Sequence, residues 1–474
     1  MMFIPPSYKN KKVALLGLGL TGGSLIKHLK SFGIDPICWD DDETKRNAFI
    51  GKGLLIEDLN SPNIWKDLDL LIISPGIPFL YPEPHPVVTL ARQNAVHITT
   101  DIELFFEFLH QKYTDEGALR PTVICVTGSN GKSTTTALIH HILSGMSKDT
   151  EMGGNIGRPV MSLNLENPRS IKVIELSSYQ IEIAGGLEPD VAIFLNLSSD
   201  HLLRHGGLGG YFLTKSKLFH QGKPKFSIVG VDENEGKCLA ASLEVRKDPI
   251  SIVIQISITG PILGADWSVF ISNEFIVEVK SGEEIFKSVL QEVLQIPGDH
   301  NKQNACAAYA ACRALGFSPE NSFEQIRGFQ GLPHRTAVVK KLDGIIFIND
   351  SKATNVDSVR KSLKTFDNIR WIAGGLKKDG DIIDFNAYFS RIKKAYLIGS
   401  AATEFASSLT GLEYEICGEL EMAVRSAYEE ADAGDTVLLA PGCASFDQFK
   451  NFEDRGNKFC KLVENLKRKS LSKY

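Results

Sequence analysis

Short apolar runs alternate with amphipathic stretches along the first hundred residues. The segment KKVALLGLGL predicts a buried strand that enters a glycine turn, and SLIKHLKSFG predicts an amphipathic helix that ends at Gly33. PICWDDD and DLLIISPGIP predict two further strands, each followed by acidic or turn-forming residues. Strands that alternate with helical patterns indicate a mostly parallel sheet with helices on its faces.

The same pattern restarts twice. PTVICVTGSNGKSTTTALIHHIL predicts a strand, a glycine loop and a helix, and IKVIELSS and DVAIFLNLSSDH predict apolar strands with polar ends. A third series comprises GIIFINDSKATN, IRWIAGGLKKDG, KAYLIG and DTVLLAPGCASFDQF. We therefore expect an α/β protein of three domains, residues 1–100, 101–331 and 332–474. Residues 221–295 alternate strand-like and charged stretches, and we assign them no function.

Composition excludes several classes of function. A chain of 474 residues is too long for one core, and 43% hydrophobic with 23% charged residues is ordinary for a soluble globular protein. The net charge of −5 offers no electrostatic footprint for nucleic acid. No apolar run is long enough to span a bilayer, and the N-terminus lacks a signal-peptide pattern. The eight cysteines form no C-x-x-C pair, which favours the cytoplasm over a disulfide or zinc framework.

The first glycine turn, GLGLTG, places Gly17, Gly19 and Gly22 between a strand and a helix. Asp40 follows 18 residues after Gly22, at the tip of the next strand. Glycines let a backbone approach phosphate at a helix N-terminus, and an acid at that spacing accepts hydrogen bonds from ribose hydroxyls. Taken alone, the pattern is as compatible with NAD or FAD as with another nucleotide or a structural turn, so a dehydrogenase remains a rival interpretation.

The second glycine turn, TGSNGKST, is shorter than a standard phosphate loop because Gly128 stands only three residues before Gly131. It still follows a strand and opens a helix, where backbone N–H groups and the helix dipole favour anionic oxygens. Lys132 can reach terminal phosphates, and Ser133 offers a hydroxyl to Mg²⁺. Strand, loop, Lys-Ser pair and helix agree, so we favour a phosphate site over a surface turn.

Hard oxygen ligands for Mg²⁺ are expected near that loop. Glu175 in IELSSYQ stands at the end of a buried strand, and we favour a metal ligand over a solvated loop residue. The next strand ends in NLSSDHLLRHG, which contains Asp200, His201, Arg204 and His205. Either histidine alone could be a core or surface residue, but four polar functional groups in six residues are typical of a site.

The two glycine turns belong to a longer series of motifs. In chain order these are GLGLTG, SPGIP, TDIELF, GSNGKST, GGNIG, ELSSYQ, DHLLRHG, GDHNKQN, GLPHR, NDSKATN and PGCASFDQFKNFEDRG. Over nearly its whole length the chain resembles the Mur ligases, and its short loop matches the G-[TS]-N-G-K-[ST] of that family and of the related folylpolyglutamate synthases. NDSKATN and CASFDQFKNF point to the D-glutamate-adding branch, and the Asn-Pro-Arg signature expected of the diaminopimelate- or lysine-adding branch is not among these motifs.

This resemblance implies a Rossmann-like N-terminal domain for a UDP moiety, a central P-loop ATPase-type parallel sheet, and a Rossmann-like C-terminal domain that closes over an amino acid. The implied reaction joins D-glutamate to UDP-N-acetylmuramoyl-L-alanine, driven by ATP through an acyl phosphate, in cytoplasmic peptidoglycan precursor synthesis. The implied cofactors are two Mg²⁺ ions and a carbamylated lysine. The expected partners are these small-molecule substrates, with no nucleic acid, no membrane span and a monomeric chain.

The resemblance also implies residues for each ligand. The ATP site would comprise Gly128, Ser129, Asn130, Gly131, Lys132, Ser133, Thr134, Asn301, Asn304, Arg335, Asp350 and Lys352. The UDP-substrate site would comprise Leu20, Thr21, Asp40, Ser74 and Asn155, and the D-glutamate site would comprise Thr354, Lys378, Ser445 and Phe452. The metal ligands would be Ser133, Glu175, His201 and, once carbamylated, Lys215. Catalysis would depend on Lys132, Glu175, His201 and Lys215.

The family pattern places the carbamylated lysine at Lys215, four residues after Tyr211 in YFLTKSKLF, with Lys217 as the fallback. A lysine with a pKa of about 10.4 is a cation that repels Mg²⁺, whereas addition of CO₂ makes it an anionic oxygen ligand. An exposed helical lysine is the alternative interpretation. Asn301 and Asn304 would face the adenine, although an Asn at a helix start can equally be only a cap.

Some positions depart from the family pattern. Leu203 replaces the second acid of DHLDRH, and Asp42 stands where an arginine is sometimes found. Leu376 and Lys377 stand where an acid is common, which leaves the lysine for the dicarboxylate open, with Lys378 favoured. None of these changes removes a phosphate or metal group.

Two other classes of protein compete with this ligase. One is a Mur-type or folylpolyglutamate-type ligase with a different amino-acid acceptor, and NDSKATN with CASFDQFKNF argues against it. The other is a nucleotide-binding regulator or dehydrogenase that uses GLGLTG for NAD. The second phosphate loop, together with Glu175 and His201, argues against that class.

Overall fold

A computed structural model describes residue 8 and residues 10–49, 53–113, 119–245, 251–294, 296–377 and 384–468. Within these residues the strands form three separate sheets, which confirms the α/β class and the three sheet-containing blocks expected from the sequence. The chain divides into two compact units, Met1–Val293 with Gln303–Arg327 and Leu294–Lys302 with Gly328–Tyr474. The first unit holds the first two sheets, and the second unit holds the third.

The first sheet is built from the apolar runs of the N-terminal hundred residues. Its strands are β1 (Val13–Leu16), β2 (Ile37–Trp39), β3 (Leu55–Ile56), β4 (Leu70–Ile73) and β5 (His97–Thr99), and its helices are α1 (Leu20–Lys30), α2 (Glu43–Asn47), α3 (Pro86–Gln93) and α4 (Asp101–Lys112). All pairs are parallel in the order β3-β2-β1-β4-β5, the arrangement of a Rossmann-like sheet. β1 and β4 lie at the centre and are buried along their length, as continuous apolar runs require.

The second sheet surrounds the short phosphate loop. Its strands are β6 (Thr122–Thr127), β7 (Thr150–Gly154), β8 (Ile171–Glu175), β9 (Val191–Phe194), β10 (Phe226–Gly230), β11 (Ile252–Ser257), β12 (Trp267–Ser272), β13 (Phe275–Lys280) and β14 (Glu283–Val289). Its helices are α5 (Lys132–Gly145), α6 (Ser178–Ile183), α7 (Leu202–His205), α8 (Leu208–His220), α9 (Asn234–Val245), α10 (Asp299–Ala314) and α11 (Pro319–Glu324). The order is β14-β13-β12-β11-β10-β9-β6-β8-β7, parallel from β7 to β12 and antiparallel from β12 to β14. The strands β10 to β14, which lie in the stretch that carried no motif, therefore complete this sheet.

The third sheet lies in the second unit. Its strands are β15 (Ala337–Leu342), β16 (Ile345–Asn349), β17 (Ile369–Gly374), β18 (Ile392–Ile398), β19 (Tyr414–Gly418) and β20 (Thr436–Gly442), and its helices are α12 (Val356–Thr365), α13 (Ala402–Ser408), α14 (Leu420–Glu430) and α15 (Phe452–Glu464). The order is β15-β16-β20-β17-β18-β19, in which β15 runs antiparallel to β16 and the other neighbours are parallel.

Strand register places the predicted phosphate and metal groups at one edge of the second sheet. Val126 on β6 lies opposite Glu175 on β8, and Thr127 lies opposite Phe194 on β9. The glycine loop, Glu175 and the segment after β9 consequently leave the sheet at the carboxyl ends of adjacent parallel strands, where ligands bind in open α/β sheets. Across the described ranges, no helix is both long and apolar enough to cross a membrane.

Candidate functional site

The loop between β6 and α5 depends on glycine at two positions. Gly128 has φ +150° and Gly131 has φ +85°, and Gly131 caps α5 in the left-handed conformation. A Cβ on Gly131 would lie 2.3 Å from Asn304 Oδ1. The first N–H groups of an α-helix have no intrahelical partner, so the N-terminus of α5 can bind an anionic ligand.

Polar residues that follow β9 form hydrogen bonds with the glycine loop between β6 and α5. Asn196 Oδ1 accepts a hydrogen bond from Asn130 N at 2.9 Å, and Ser129 Oγ donates to the Ser198 carbonyl at 3.1 Å. Asn196 Nδ2 in turn donates to Gln303 Oε1 at 2.8 Å. The sequence motifs assigned no role to Asn196 or Ser198, although both stand in NLSS at the end of an apolar strand, which was the available signal.

Two lysines converge on the same loop. Lys132 Nζ donates to the carbonyls of Gly128 and Ser129 at 3.0 and 2.9 Å. Lys215 is almost completely buried, and its Nζ donates to the Gly128 carbonyl at 2.9 Å. Burial, reinforced by the charge of Lys132, holds the pKa of Lys215 well below its usual value. Lys217, the fallback for the carbamylated position, instead donates to a carbonyl of α6.

Glu175 offers one carboxylate oxygen that protein groups leave unsatisfied. Its Oε1 accepts a hydrogen bond from Asn155 Nδ2 at 2.8 Å, whereas its buried Oε2 has no hydrogen-bond partner among the described residues. An unsatisfied buried carboxylate oxygen costs free energy unless a cation or donor meets it. Ser133, in the first turn of α5, adds a buried hydroxyl. Hydroxyl and carboxylate oxygens are the ligands that Mg²⁺ prefers, so these residues fit that ion.

His201 lies just before α7 in the left-handed conformation, with φ +56°. Its Nε2 is 3.5 Å from Asp200 Oδ2, and its ring centroid is 5.0 Å from that of Tyr179. The side chain is 37% exposed and can be reached by a ligand. The sequence predicted His201 as a site residue, but it gave no role to Tyr179, which stands in ELSSYQ.

Asp40 and Ser74, two of the residues predicted to bind the UDP substrate, stabilise the first glycine turn. Asp40 Oδ2 accepts a hydrogen bond from Leu18 N at 2.8 Å, and Ser74 Oγ donates to the Gly17 carbonyl at 3.1 Å. A Cβ on Gly17, which has φ +103°, would lie 2.4 Å from Ser74 Oγ. Leu20 is 92% exposed at the start of α1 and is followed by Thr21. Leu20, Thr21, Asp40 and Ser74 thus lie near the carboxyl edge of the first sheet, whereas Asn155 follows β7 in the second sheet.

The two asparagines of α10 have different surroundings. Asn304 is buried beside the glycine loop, where its Oδ1 accepts a hydrogen bond from Thr135 Oγ1 at 3.1 Å. Asn301 belongs to the second unit, and its Nδ2 donates to the Pro297 carbonyl at 2.7 Å. The structure therefore places Asn304 next to the predicted phosphate site, whereas Asn301 binds the segment that precedes its own helix.

Asp350, predicted to bind the ATP ribose, has its carboxylate in the interior of the second unit. Its Oδ1 accepts a hydrogen bond from Thr336 N at 3.1 Å, and its Oδ2 accepts one from Ser362 Oγ. Burial raises the pKa of Asp350. Arg335 lies between His334 and Thr336, both in the left-handed conformation with φ +63° and +50°, so the Asp350 contact fixes the backbone beside Arg335.

Of the residues predicted around D-glutamate, Thr354 and Ser445 lie on loops that follow strands of the third sheet, and Phe452 begins α15. Lys352 Nζ is 3.9 Å from the Phe452 ring centroid, and Thr354 N donates to the Lys352 carbonyl at 2.7 Å. Ser445 follows β20 and is buried. Lys378, the cation predicted for the dicarboxylate, lies outside the described residues.

Arg455 is a site-forming residue that sequence reasoning missed. Its guanidinium is 1% exposed and donates to Ser351 Oγ at 3.0 Å, to the Ser351 carbonyl at 2.9 Å and to the Cys443 carbonyl at 3.1 Å. Burial lowers its pKa to about 10. It thereby joins the loops after β16 and β20, which carry Thr354 and Ser445. The sequence offered one signal, because the helical spacing of α15 puts Arg455 on the same face as Gly456, Phe459 and Val463.

Two family models match the chain in the regions that contain the second and third sheets. Residues 126–312 match the Mur ligase middle domain, and residues 334–443 match the Mur ligase, glutamate ligase domain. The chain belongs to the Mur ligase family. It is 47% identical over 458 residues to the UDP-N-acetylmuramoylalanine–D-glutamate ligase of Cereibacter sphaeroides, covering 97% of this chain and 98% of that protein. The ligase of the same name from Ruegeria pomeroyi is 46% identical, with 96% and 98% covered.

Solved structures of more distant proteins share the fold. The crystal structure of UDP-N-acetylmuramate-alanine ligase from Thermotoga maritima has a TM-score of 0.59 and 21% identity, and the match covers 96% of this chain and all of that one. The structure of UDP-N-acetylmuramoyl-L-alanyl-D-glutamate–2,6-diaminopimelate ligase has a TM-score of 0.53 and 19% identity, covering 85% of this chain and 93% of that one. These likenesses support the three-sheet α/β architecture alone.

Proposed function

We propose that the protein is an ATP-dependent ligase that joins D-glutamate to UDP-N-acetylmuramoyl-L-alanine in peptidoglycan precursor synthesis. Membership in the Mur ligase family implies the use of ATP. The observation that carries the proposal is the meeting of the glycine loop, Glu175 and buried Lys215 at one edge of the second sheet. It occurs in a chain whose D-glutamate ligase relatives match it over nearly their full lengths.

The reaction needs an activated carboxylate because oxide is a poor leaving group. An oxygen of the alanyl carboxylate attacks the γ-phosphorus of ATP, forms an acyl phosphate and releases ADP. The amine of D-glutamate then attacks the acyl carbon, so that an amide forms while inorganic phosphate and a proton leave. Phosphoryl transfer of this kind asks the protein mainly for positioning and charge neutralisation.

The residues proposed for nucleotide binding come from the glycine loop and, by family resemblance, from Asn301, Arg335, Asp350 and Lys352. Lys132 and the backbone of residues 128–134 would hold the phosphates, and Asn304 would border the nucleotide because it touches Gly131. Arg335 and Lys352 would add positive charge near phosphate. By family resemblance Asp350 would bind the ribose and Asn301 the adenine region.

Ser133 and Glu175 would hold one Mg²⁺, and His201 with Lys215 would hold a second. Mg²⁺ in these positions would neutralise the charge of the phosphate oxygens. The lowered pKa of Lys215 favours the neutral amine, which is the form that reacts with CO₂ to give a carbamate and a proton. That carbamate would replace a buried neutral amine by an anionic oxygen ligand.

The other two substrates would bind on the first and third sheets. UDP-N-acetylmuramoyl-L-alanine would contact Leu20, Thr21, Asp40, Ser74 and Asn155. Asn155 already donates a hydrogen bond to Glu175, which would link the UDP-substrate site to the first metal position. D-Glutamate would be surrounded by Thr354, Lys378, Ser445 and Phe452.

The proposal extends to the organisation of the whole chain. We assign residues 1–100 to UDP-substrate binding, residues 101–331 to ATP binding and residues 332–474 to amino-acid binding. The sheets of the structure lie within these three ranges. We expect a monomer in the cytoplasm that binds no nucleic acid, in keeping with its net charge of −5.

The deciding experiment measures phosphate release from ATP with Mg²⁺ and UDP-N-acetylmuramoyl-L-alanine. D-Glutamate is compared with L-glutamate, D-alanine, L-lysine and meso-diaminopimelate. Release with D-glutamate alone would support the proposal. Release with a different amino acid would keep the ATP chemistry and indicate another Mur-type or folylpolyglutamate-type acceptor. No release with any of them would refute the proposed reaction.

A further inference from the structure

His205 lies in a buried polar cluster behind His201. Its side chain has no exposed surface, its Nε2 is 2.9 Å from Ser178 Oγ, and its Nδ1 is 3.2 Å from Glu182 Oε1. Both partners belong to α6, whereas His205 belongs to α7. The approach of Nδ1 to Glu182 is close but lacks hydrogen-bond geometry, whereas a ring flip would break the contact of Nε2 with Ser178. His205 therefore fixes α7 against α6.

Two tyrosines stack on the ring of His205, and each leads to a residue of the predicted second metal site. The Tyr179 ring lies 5.6 Å from that of His205 and 5.0 Å from that of His201. The Tyr211 ring lies 5.1 Å from that of His205, and its centroid is 4.6 Å from Lys215 Nζ. Packed rings of this kind restrict one another's rotation. His205 is thus in indirect contact with both His201 and Lys215.

The helix α7 has few supports of its own. It spans four residues, and the residues that flank it, His201 and Gly206, are both left-handed with φ +56° and +66°. A single helical turn is not stable without tertiary contacts. Among the residues of α7, His205 is the buried one, and Arg204 adds a surface tie by donating to two main-chain carbonyls of the loop after β4. The position of His201 consequently depends on His205.

We propose that His205 is a positioning residue that sets the relative placement of His201 and Lys215, and with it the affinity for the second Mg²⁺. The inference rests on the proposed function, because it assigns these two residues to a metal site. His205 itself touches neither substrate nor metal in this arrangement. It acts by holding α7 through Ser178 and Glu182 and by packing against Tyr179 and Tyr211.

The test uses His205→Phe, which keeps an aromatic ring and removes both polar contacts. His28→Phe is the matched control, because His28 is also buried and its ring lies 4.9 Å from Phe32 and 5.2 Å from Phe108, outside the site. Mn²⁺ binding in the presence of a non-hydrolysable ATP analogue is followed by electron paramagnetic resonance. We expect His205→Phe to weaken the second Mn²⁺ about tenfold, the scale seen when residues behind metal ligands are changed, and His28→Phe to leave it unchanged.

Activity gives a second readout that a purely structural role would not move. For His205→Phe, the Mg²⁺ concentration for half-maximal phosphate release should rise about tenfold, while the KM for ATP at saturating Mg²⁺ changes less than about twofold. Ser178→Ala removes one partner and leaves the ring in place, so it should shift Mn²⁺ affinity in the same direction by less. It replaces His205→Phe if that variant does not fold.

The inference would be overturned if wild type, His205→Phe and Ser178→Ala bound the second Mn²⁺ with equal affinity. It would also be overturned if the wild type bound one Mn²⁺ only. Failure of the proposed function has a different signature. The wild type would then release no phosphate with D-glutamate, whereas the Mn²⁺ titration with the ATP analogue would still report whether His205 matters.

Discussion

At Gly131 the loop backbone passes so close to Asn304 that a side chain has no room. The sequence predicted this glycine because the loop pattern with its Lys-Ser pair and following helix is specific. It did not predict the partners that hold the loop, because Asn196 and Ser198 come from another strand end and meet the loop only in the folded sheet. The sequence did not predict the burial of Asp350 for the same reason, because that burial depends on how α12 packs against the preceding loop.

Replacement of Gly131 by alanine should reduce activity about 100-fold, the effect of a displacement of about 1 Å in a positioned group. The left-handed backbone should also lower the free energy of unfolding by about 1–2 kcal/mol. Gly264→Ala is the matched control, because Gly264 has φ +83° but nothing within 4 Å of its added Cβ. The measurements are steady-state kinetics and urea unfolding. Equal activity in both variants would show that contact with Asn304 is unimportant.

Asp101 predicts a pH dependence of stability. Complete burial raises its pKa to about 7, so the folded state binds a proton more tightly than the unfolded chain does. The wild type should therefore lose unfolding free energy as pH rises from about 4 to about 7, by up to about 4 kcal/mol relative to Asp101→Asn. Urea unfolding at several pH values measures the difference. Asp35→Asn, an exposed control, should show no such trend, and parallel curves for wild type and Asp101→Asn would contradict the prediction.

At the scale of elements, the apolar runs correctly predicted the central strands of the first and third sheets, and β6, β8 and β9 of the second. Those runs are continuous because parallel strands are covered on both faces. The strands β10 to β14 were not assigned individually, since the stretch that contains them mixes charged and apolar residues and carries no motif. One of those charges, Glu278, proves to be completely buried, where it accepts hydrogen bonds from Trp267 Nε1 at 2.9 Å and Tyr309 OH at 2.6 Å and pairs with Arg313.

Removal of this buried charge should cost stability without affecting the chemistry. Glu278→Gln leaves Arg313 without its carboxylate, and we expect the free energy of unfolding to fall by about 3 kcal/mol. The KM values for all substrates should stay within about twofold of wild type because no predicted site residue is touched. Chemical denaturation and initial-rate kinetics provide the two measurements. Glu283→Gln, at the exposed start of β14, controls for the loss of charge alone, and a large change in KM would show that this network reaches the site.

At the scale of the whole molecule, the division into two compact units follows neither the motif series nor the three sheets. The first two sheets share one unit, and the segment Leu294–Lys302 belongs with the third sheet. The sequence could not show this, because the partition depends on contacts between segments far apart in the chain. The tryptophans report on the units separately, since Trp39, Trp65 and Trp267 lie in the first and Trp371 in the second.

Trp371→Phe tests whether the units unfold independently. Trp371 is buried, and its Nε1 donates to the Ala440 carbonyl at 2.7 Å, so the substitution should destabilise the second unit by about 1–3 kcal/mol. The remaining tryptophans then follow the first unit alone. If the units unfold independently, their fluorescence midpoint in urea should lie above the midpoint of a separate, earlier transition in circular dichroism. A common shift of both signals would mean one cooperative transition.

The bonds from Lys132 to its own loop have a consequence for ligand choice. A phosphate that draws this ammonium group away must replace two hydrogen bonds to the Gly128 and Ser129 carbonyls. A ligand with little negative charge near the lysine recovers almost nothing from that exchange, whereas a triphosphate recovers more than it displaces. The cost of breaking the two bonds is the same for every ligand, so we expect the difference in gain to favour ATP over mono- and diphosphates. We therefore expect the affinity of the loop for a nucleotide to depend on the phosphate charge near Lys132, independently of contacts with the base or the sugar.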